Sequence, residues 1–227
     1  MVCQLVSIYL YSRLISGTDK EGKEVRRSYT PITRVTKRGS MDLLVKVYYP
    51  TERFPEGGVL TQYLDKLKIN DYLTICGPKG KVEYLGDGNF YFKKKGLKKQ
   101  FKKITMLAGG SGITPCFQSL LHLLDDKKAD LTLNILFANK TEEDIVLREE
   151  LDEIAEKTKA RVAYTLDHPK DGWKGYKGFI NQTMLEDFIP PVSDDHLVFF
   201  CGPKLMNKDC RTVLKTMGFS EDNVFKF

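Results

Sequence analysis

Residues 104–115 read Ile104-Thr105-Met106-Leu107-Ala108-Gly109-Gly110-Ser111-Gly112-Ile113-Thr114-Pro115. The apolar run at the start predicts a buried strand, and the glycines predict a tight turn into a helix that begins at Thr114 and Pro115. Gly109, Gly110 and Gly112 have no Cβ, so they can adopt positive φ and let a flat or phosphate-bearing ligand approach the backbone. The pattern also suits an ordinary strand-to-helix turn, because it differs from the G-x-G-x-x-G nucleotide fingerprint.

A second glycine-bearing turn follows the apolar run at residues 196–200. It consists of Cys201, Gly202 and Pro203, with Met206 just beyond it. Parallel α/β sheets bind ligands in the crevice at the carboxyl ends of their strands. Two such turns after two buried strands therefore predict a ligand crevice.

The segment from residue 104 onward alternates between strand and helix patterns. The predicted strands are 104–108, 131–138, 161–166 and 197–200, and the predicted helices are 115–124, 147–158, 182–188 and 204–217. This alternation is typical of a doubly wound, Rossmann-like α/β fold with a parallel sheet.

The first 90 residues have a different pattern, with apolar and β-branched runs at 5–14, 43–49 and 71–77 and one helical stretch at 60–67. Gly17, Asp19 and Gly22 predict a turn after the first run. This pattern predicts a small antiparallel β-barrel. The sequence therefore indicates an α+β protein of two domains, residues 1–90 and 104–227. We interpret the lysine-rich residues 91–103 as a solvated linker, with a partner-docking patch as the alternative.

Composition excludes several classes of protein. The 227 residues are 41% hydrophobic and carry a net charge of +6, which favours an acidic partner over nucleic acid. Five cysteines without a CxxC pair argue against a disulfide framework or a zinc site and favour a reducing compartment. The apolar stretch at 2–15 is too short to span a bilayer, so we expect no membrane segment.

Two motifs of the first half predict a dinucleotide cradle. Arg27 and Tyr29 in Arg-Ser-Tyr-Thr-Pro alternate along a strand, which places a guanidinium and a phenol on one face. Gly57 and Gly58, followed by Thr61, offer backbone donors and a hydroxyl at the start of a helix. Taken singly, the Arg-x-Tyr pair could also be an ordinary surface feature of a strand.

These motifs in this order resemble the NADH-cytochrome b5 reductases, which belong to the ferredoxin reductase-like flavoproteins. The resemblance covers nearly the whole chain, including residues 136–145 and the aromatic ending 224–227. It implies a barrel that binds FAD followed by an α/β domain that binds NADH. FAD would accept a hydride from NADH and pass single electrons to an acidic haem protein such as cytochrome b5.

The resemblance also implies the residues of the site. FAD would be held by Arg27, Tyr29, Thr30, Val45, Lys46, Tyr48, Gly57, Gly58, Val59, Leu60 and Thr61. The crevice and the nicotinamide end would be lined by Gly109, Gly110, Ser111, Thr114, Pro115, Cys201, Gly202, Pro203 and Met206, with Phe179 and Phe227 as further cofactor contacts. Lys46, Thr114 and Cys201 are the candidate catalytic residues, and no metal is expected.

Asp167 lies at the family position near the adenosine ribose. A carboxylate there accepts a 2′-hydroxyl and repels a 2′-phosphate, so we expect NADH to be preferred, with His168 and Lys170 softening the repulsion. Cys201 has no histidine nearby except His196 on the same strand, so we interpret it as a packing group. His122, His168 and His196 are expected to be structural or exposed.

Family members have further residues before the position that aligns with Gln4, and these supply the first barrel strands. The barrel is therefore expected to be incomplete, with exposed edges and low affinity for FAD. Two alternatives follow: a flavin module of a nitrate-reductase-like system, or a non-enzymatic nucleotide-binding domain that has lost FAD. We expect a cytoplasmic monomer, associated with the endoplasmic reticulum or the outer mitochondrial membrane only through a segment absent here.

Overall fold

The computed structural model describes residues 8–227, with side-chain environments from residue 12 onward. Two sheets follow one another along the chain. The first is antiparallel, in the order β2-β1-β3-β4-β5, and the second is a six-stranded sheet in the order β11-β10-β6-β7-β8-β9. Every strand pair of the second sheet is parallel.

The antiparallel sheet comprises β1 (Ile8–Thr18), β2 (Glu24–Tyr29), β3 (Thr74–Gly86), β4 (Asn89–Phe92) and β5 (Leu97–Gln100). The β1–β2 turn forms where the sequence predicts it, because the Asp19 carboxylate accepts hydrogen bonds from the backbone N–H of Glu21 and Lys23. Residues 5–7 of the first predicted strand lie outside the described residues. In the part of the chain that the structure describes, this sheet does not close into a barrel, and β2 and β5 are its edges.

The strand predicted at residues 43–49 is wrong. Beyond an isolated bridge between Leu43 and Pro31, this segment pairs with no strand among residues 8–227. Its backbone is bound instead to the start of α1 (Val59–Asp65): Gly58 N–H donates to the Tyr48 carbonyl at 2.7 Å, and Tyr48 N–H donates to Thr61 Oγ1 at 3.2 Å. Its β-branched and aromatic residues fit a strand, but among residues 8–227 no strand edge lies beside them to complete a ladder.

The interpretation of residues 91–103 as a linker is also wrong. They contain the end of β4, all of β5 and the first residue of β6. Apolar side chains stand between the lysines, and Phe92 and Phe101 are buried in an aromatic cluster with Phe199 and Phe225 of the second sheet. The hairpin therefore belongs to the core that the two sheets share, and its Lys95 and Lys99 pair with Asp222 and Asp194 of the second unit.

The parallel sheet comprises β6 (Lys103–Gly109), β7 (Thr132–Asn139), β8 (Arg161–Leu166), β9 (Tyr176–Lys177), β10 (His196–Cys201) and β11 (Val224–Lys226). Its helices are α2 (Ile113–Asp125), α3 (Arg148–Lys157), α4 (Gln182–Phe188) and α5 (Lys204–Thr216). Two buried clusters cover opposite faces of the sheet: one contains α2, and the other contains α4 and α5. The predicted α/β architecture is confirmed, and only the short strands β9 and β11 are additional.

The described residues contain no disulfide and no cluster that could hold a metal ion. Cys76, Cys116, Cys201 and Cys210 are free thiols, and no group of metal-ligating side chains forms among residues 8–227. Within the same range, every helix is too short or too polar to cross a bilayer.

Candidate active site

The two glycine turns interlock at the carboxyl ends of the neighbouring strands β6 and β10. A Cβ on Gly109 or Gly202 would overlap the sulfur of Met206, and a Cβ on Gly112 would overlap the carbonyl oxygen of Cys201. Of the three glycines that can adopt positive φ, only Gly110 does so, with a φ of 52°, whereas Gly109 and Gly112 have negative φ. Glycine is needed at those two positions because the turns pack against each other.

The helix after the first turn begins at Ile113, one residue earlier than predicted, after a 3-10 turn at 110–112. Thr114 is buried, and its hydroxyl donates to the Ser111 carbonyl at 3.2 Å. Ser111 itself is exposed at the tip of the turn, and Pro115 is half-buried. The Thr114 hydroxyl is therefore fixed by the turn.

Cys201 is half-buried beside this turn. Burial raises the pKa of its thiol, against a smaller opposing effect of Lys226. His196 cannot activate it, because its ring shares a 2.9 Å hydrogen bond with the Thr105 hydroxyl and burial lowers its pKa to about 4. A neutral thiol without a base is a packing group and not a nucleophile. His196 and the buried His122 are structural, and His168 is exposed.

Arg27 and Tyr29 of β2, with Tyr48 from the irregular segment 43–49, form an aromatic and cationic surface on the first unit. Arg27 is exposed and donates to the Arg26 carbonyl at 2.8 Å, and among residues 8–227 it makes no ion pair with a carboxylate. Burial raises the pKa of Tyr29, an effect that Arg27 opposes and Tyr48 increases, so the three side chains are neighbours. This guanidinium is available to bind phosphate oxygens. Thr30 and Val45 lie half-buried in the adjoining segments.

The glycines before α1 were predicted to offer backbone donors to a ligand, but Gly57 N–H donates to the Phe54 carbonyl and Gly58 N–H to the Tyr48 carbonyl. Gly57 has a φ of 61°, and a Cβ there would lie 2.5 Å from the Tyr48 carbonyl oxygen. The Thr61 hydroxyl donates to the Gly58 carbonyl at 2.9 Å, so its hydrogen is not offered to a ligand. Leu60 is buried in the core, and Val59 is half-buried. The backbone N–H groups of the first turn of α1 have no partner within the helix, so they are available to bind a phosphate.

Lys46 reaches from the first unit to the turn that follows β7. Its Nζ lies 3.4 Å from Asp144 Oδ1, and its side chain is 57% exposed. Although burial opposes the change, the hydrogen bond and charge of Lys46, together with Thr141, lower the pKa of Asp144. The sequence did not identify Asp144 as a partner of Lys46 because the two residues are far apart along the chain.

Asp167 follows β8, and the turns after β7 and β8 are bonded to each other. Asp167 N–H donates to the Asn139 carbonyl at 3.0 Å, and His168 N–H donates to the Lys140 carbonyl at 2.8 Å. Burial raises the pKa of Asp167, and the charges of His168 and Lys140 oppose that rise. Lys170, which we expected beside this carboxylate, is paired with Glu143. Lys140 is the cation that sequence reasoning missed.

The two phenylalanines predicted as cofactor contacts differ in environment. Phe179 follows β9, and its side chain is 76% exposed, so its ring is available to a planar ligand. Phe227 stacks on Phe199 with ring centroids 4.9 Å apart, and its N–H donates to the Phe200 carbonyl. Phe227 therefore has a structural partner already, whereas Phe179 does not bury its ring in the core.

Comparison with known proteins agrees with this arrangement. An oxidoreductase FAD-binding domain model matches residues 7–84, and an oxidoreductase NAD-binding domain model matches residues 106–212. NADH-cytochrome b5 reductase 2 of Danio rerio is 40% identical over 215 residues, which is 91% of this chain and 70% of that protein. The chain belongs to the NADH-cytochrome b5 reductase family. It is therefore an oxidoreductase whose cofactors are FAD and NAD.

The chain is also similar to the reductase domain of nitrate reductases, which are longer proteins. Nitrate reductase [NADH] 1 of Oryza sativa subsp. japonica is 42% identical over 196 residues, which is 83% of this chain but 21% of that protein. The cytochrome b5 reductase domain of Ulva prolifera nitrate reductase superimposes with a TM-score of 0.91 at 34% identity, and the match covers 98% of this chain and 86% of that domain. The resemblance drawn from the sequence motifs is confirmed.

The residues present fit both cofactors of the family. On the first unit, the Arg27 guanidinium without a carboxylate partner and the phenols of Tyr29 and Tyr48 suit a pyrophosphate and a flat ring. On the second unit, the interlocked turns and the half-buried carboxylate of Asp167 suit a nicotinamide nucleotide.

Proposed function

We propose that this chain takes electrons from NADH and delivers them one at a time to a haem protein of the cytochrome b5 type. The observation that supports this most is the Lys46–Asp144 ion pair, which joins the surface expected to hold FAD to the edge of the NAD-binding sheet. A donor and an acceptor that exchange a hydride must meet at such a junction.

In this proposal each side chain binds or orients a cofactor. Arg27 binds the FAD pyrophosphate, Tyr29 packs against the edge of the flavin ring, and the first N–H groups of α1 bind a phosphate. The interlocked turns at Gly110 and Cys201 hold the nicotinamide and exclude water from it. When bound, FAD supplies the chemistry, because it accepts electrons in pairs and releases them singly.

The choice of NADH over NADPH is also a proposal. The half-buried Asp167 carboxylate accepts a ribose 2′-hydroxyl and repels a 2′-phosphate. Lys140 and His168 flank this carboxylate and weaken the repulsion. We therefore expect a preference for NADH that is moderate and not absolute.

An acidic haem protein is the acceptor that the charge favours. The net charge of +6 attracts a negative partner and accelerates the encounter at low ionic strength. The test is reduction of purified cytochrome b5 by NADH with the FAD-loaded chain, followed at the haem bands at several salt concentrations. Rapid reduction that slows as salt rises is expected, and an absence of haem reduction would refute the proposed acceptor.

A second candidate keeps the cofactors and changes the acceptor. The 42% identity to rice nitrate reductase and the TM-score of 0.91 to the reductase domain of the algal enzyme favour a reductase unit of a nitrate-reductase-like system. A haem domain from a nitrate reductase, assayed beside cytochrome b5, distinguishes the two. The acceptor with the higher kcat/KM is the physiological type.

A cytoplasmic monomer remains our proposal for the state of the chain. The free thiols at Cys76, Cys116, Cys201 and Cys210 support a reducing compartment. Association with the endoplasmic reticulum or the outer mitochondrial membrane is the alternative proposal for its location. Light scattering after gel filtration and fractionation of cells test the two parts separately.

A further inference from the structure

Asn139, the last residue of β7, has a buried side-chain amide without a hydrogen-bond partner among the described residues. Its side chain is 6% exposed, and both its Nδ2 and its Oδ1 lack a hydrogen-bond partner among residues 8–227. An unpaired buried amide costs free energy, because water no longer satisfies it. Such a group needs an explanation that the fold itself does not provide.

Asn139 lies at the carboxyl edge of the parallel sheet, where we propose that the nucleotide binds. Asn139 pairs with Leu166 on one side, and the preceding Ala138 pairs with Gly109 on the other, so Asn139 lies between the ends of β6 and β8. Its carbonyl binds Asp167 N–H, and β7 contacts the 3-10 turn at 110–112. Ligands of parallel sheets bind at this carboxyl edge.

The Asn139 side chain also lies on the face of the sheet that α2 covers. Strand residues alternate in direction, so Asn139 shares a face with Phe137. Phe137 packs in the cluster that includes Ile113 and Cys116 of α2, and α2 begins directly after the glycine turn. The amide is therefore on the side of the sheet where α2 starts.

We propose that the Asn139 amide binds the hydroxyls of the ribose that carries the nicotinamide. The inference rests on the proposed function and adds a residue to its NADH site. An amide has both donors and an acceptor, as a ribose diol does, whereas a phosphate offers acceptors only. Asp167 on β8 is assigned to the adenosine ribose and the Cys201 turn on β10 to the nicotinamide. In the sheet, β6 and β7 lie between β10 and β8, so the part of NADH that joins its two ends crosses these two strands, and Asn139 ends β7.

Asn134 provides a matched control on the same strand. It is fully buried and both of its amide atoms lack a partner, but it lies mid-strand on the opposite face, with Leu136. Asn139→Leu and Asn134→Leu each replace a buried, unpaired amide by an apolar side chain of similar size. Neither change removes a hydrogen bond within the protein, so neither should lower the melting temperature.

The experiment is calorimetric binding of ADP-ribose and of ADP to the FAD-treated full chain. ADP-ribose carries the second ribose, and ADP has the pyrophosphate without it. We expect Asn139→Leu to weaken ADP-ribose about tenfold, as loss of one or two neutral hydrogen bonds would, and to leave ADP unchanged. Asn134→Leu should change neither affinity.

Other outcomes overturn the proposal. Equal weakening of ADP and ADP-ribose by Asn139→Leu would assign the amide to the pyrophosphate or adenosine, and no change in either would leave it without a ligand. If Asn139→Leu does not fold, Asn139→Ala replaces it, and a large fall in melting temperature in both variants would show a structural role. A wild-type chain that binds neither nucleotide would refute the proposed function as well, so the two failures are distinguishable.

Discussion

Replacing Gly112 by alanine tests whether the interlocked turns set the geometry of the site. Gly112 has a φ of −65°, which alanine adopts without strain, so the effect comes from crowding alone. The added Cβ would lie 2.6 Å from the carbonyl carbon of Cys201 and 3.0 Å from Gly202 N, and both are backbone atoms. Neither can rotate away, so the turn that follows β10 must retreat by roughly 1 Å to reach normal contact.

That displacement has two expected consequences. Overpacking of this kind costs about 1–3 kcal/mol of stability, which lowers the melting temperature by several degrees. A shift of about 1 Å in a positioning element can reduce a reaction rate roughly 100-fold, so reduction of bound FAD by NADH should slow by about that factor. FAD content should be unchanged, because the atoms nearest the new methyl group belong to Cys201 and Gly202 and not to residues 27–61.

The assay is anaerobic stopped-flow measurement of flavin reduction, with calorimetric melting of the same samples. Gly39→Ala is the control, because Gly39 has a φ of 80° and no atom within 4 Å of an added Cβ, so it introduces backbone strain without crowding. The control should lose stability but keep its rate. A Gly112→Ala protein that reduces flavin at the wild-type rate would refute the idea that contact between the two turns positions the nicotinamide.

Three further predictions concern charge and protonation. Asp167→Asn should raise the ratio of kcat/KM for NADPH to that for NADH about tenfold, and Lys140→Gln should lower this ratio, because the carboxylate repels and the ammonium attracts a 2′-phosphate. Steady-state rates with both coenzymes measure the ratio. An unchanged ratio in both variants would contradict the assignment. Cys201→Ala should keep the rate of flavin reduction within about tenfold of wild type, since burial raises the pKa of the thiol and no base activates it. A thousandfold fall in that rate would show a chemical role for the thiol. The pKa of Asp144 is lowered in the folded chain, so its pair with Lys46 stabilises the fold above the ordinary carboxyl pKa of about 4 and less so as pH falls below it. The melting temperatures of wild type and Asp144→Asn should therefore converge at acid pH. A difference in melting temperature that widens at acid pH would contradict this.

The parallel half of the fold could be predicted because its signals are local. Buried strands such as β6 and β10 are continuous apolar runs, and each is followed by a turn and a helix of ordinary length. The strands β9 and β11 contain two and three residues, and too few residues are present for any periodicity to show. Their place is set by pairing with β8 and β10, which are distant in the chain.

The errors in the first half have one physical cause, which is that a strand needs a neighbour. Residues 43–49 have the β-branched and aromatic composition of a strand but pair with no strand among the described residues. Residues 91–103 are dense in lysine, and only the buried aromatic cluster shows that Phe92 and Phe101 fix them in the sheet. Charge density along the chain does not reveal which side of a hairpin faces the core.

Within the site, motif residues could be found from the sequence, but their partners could not. The Cys201 turn was predicted to line the crevice, yet the reason for glycine at Gly112 is a contact with that turn from another strand. Lys46 was predicted to contact the cofactors, and its ion pair with Asp144 depends on how the two units pack. The unpaired amide of Asn139 is visible only when burial and hydrogen bonds are known.

Anaerobic reduction of the flavin tests the central claim most directly. The chain is purified, saturated with FAD and freed of excess cofactor, and its visible spectrum is recorded before and after NADH is added without oxygen. We predict that FAD remains bound and that its absorbance bands bleach rapidly. A chain that retains no FAD, or one whose bands persist in the presence of NADH, would contradict the account.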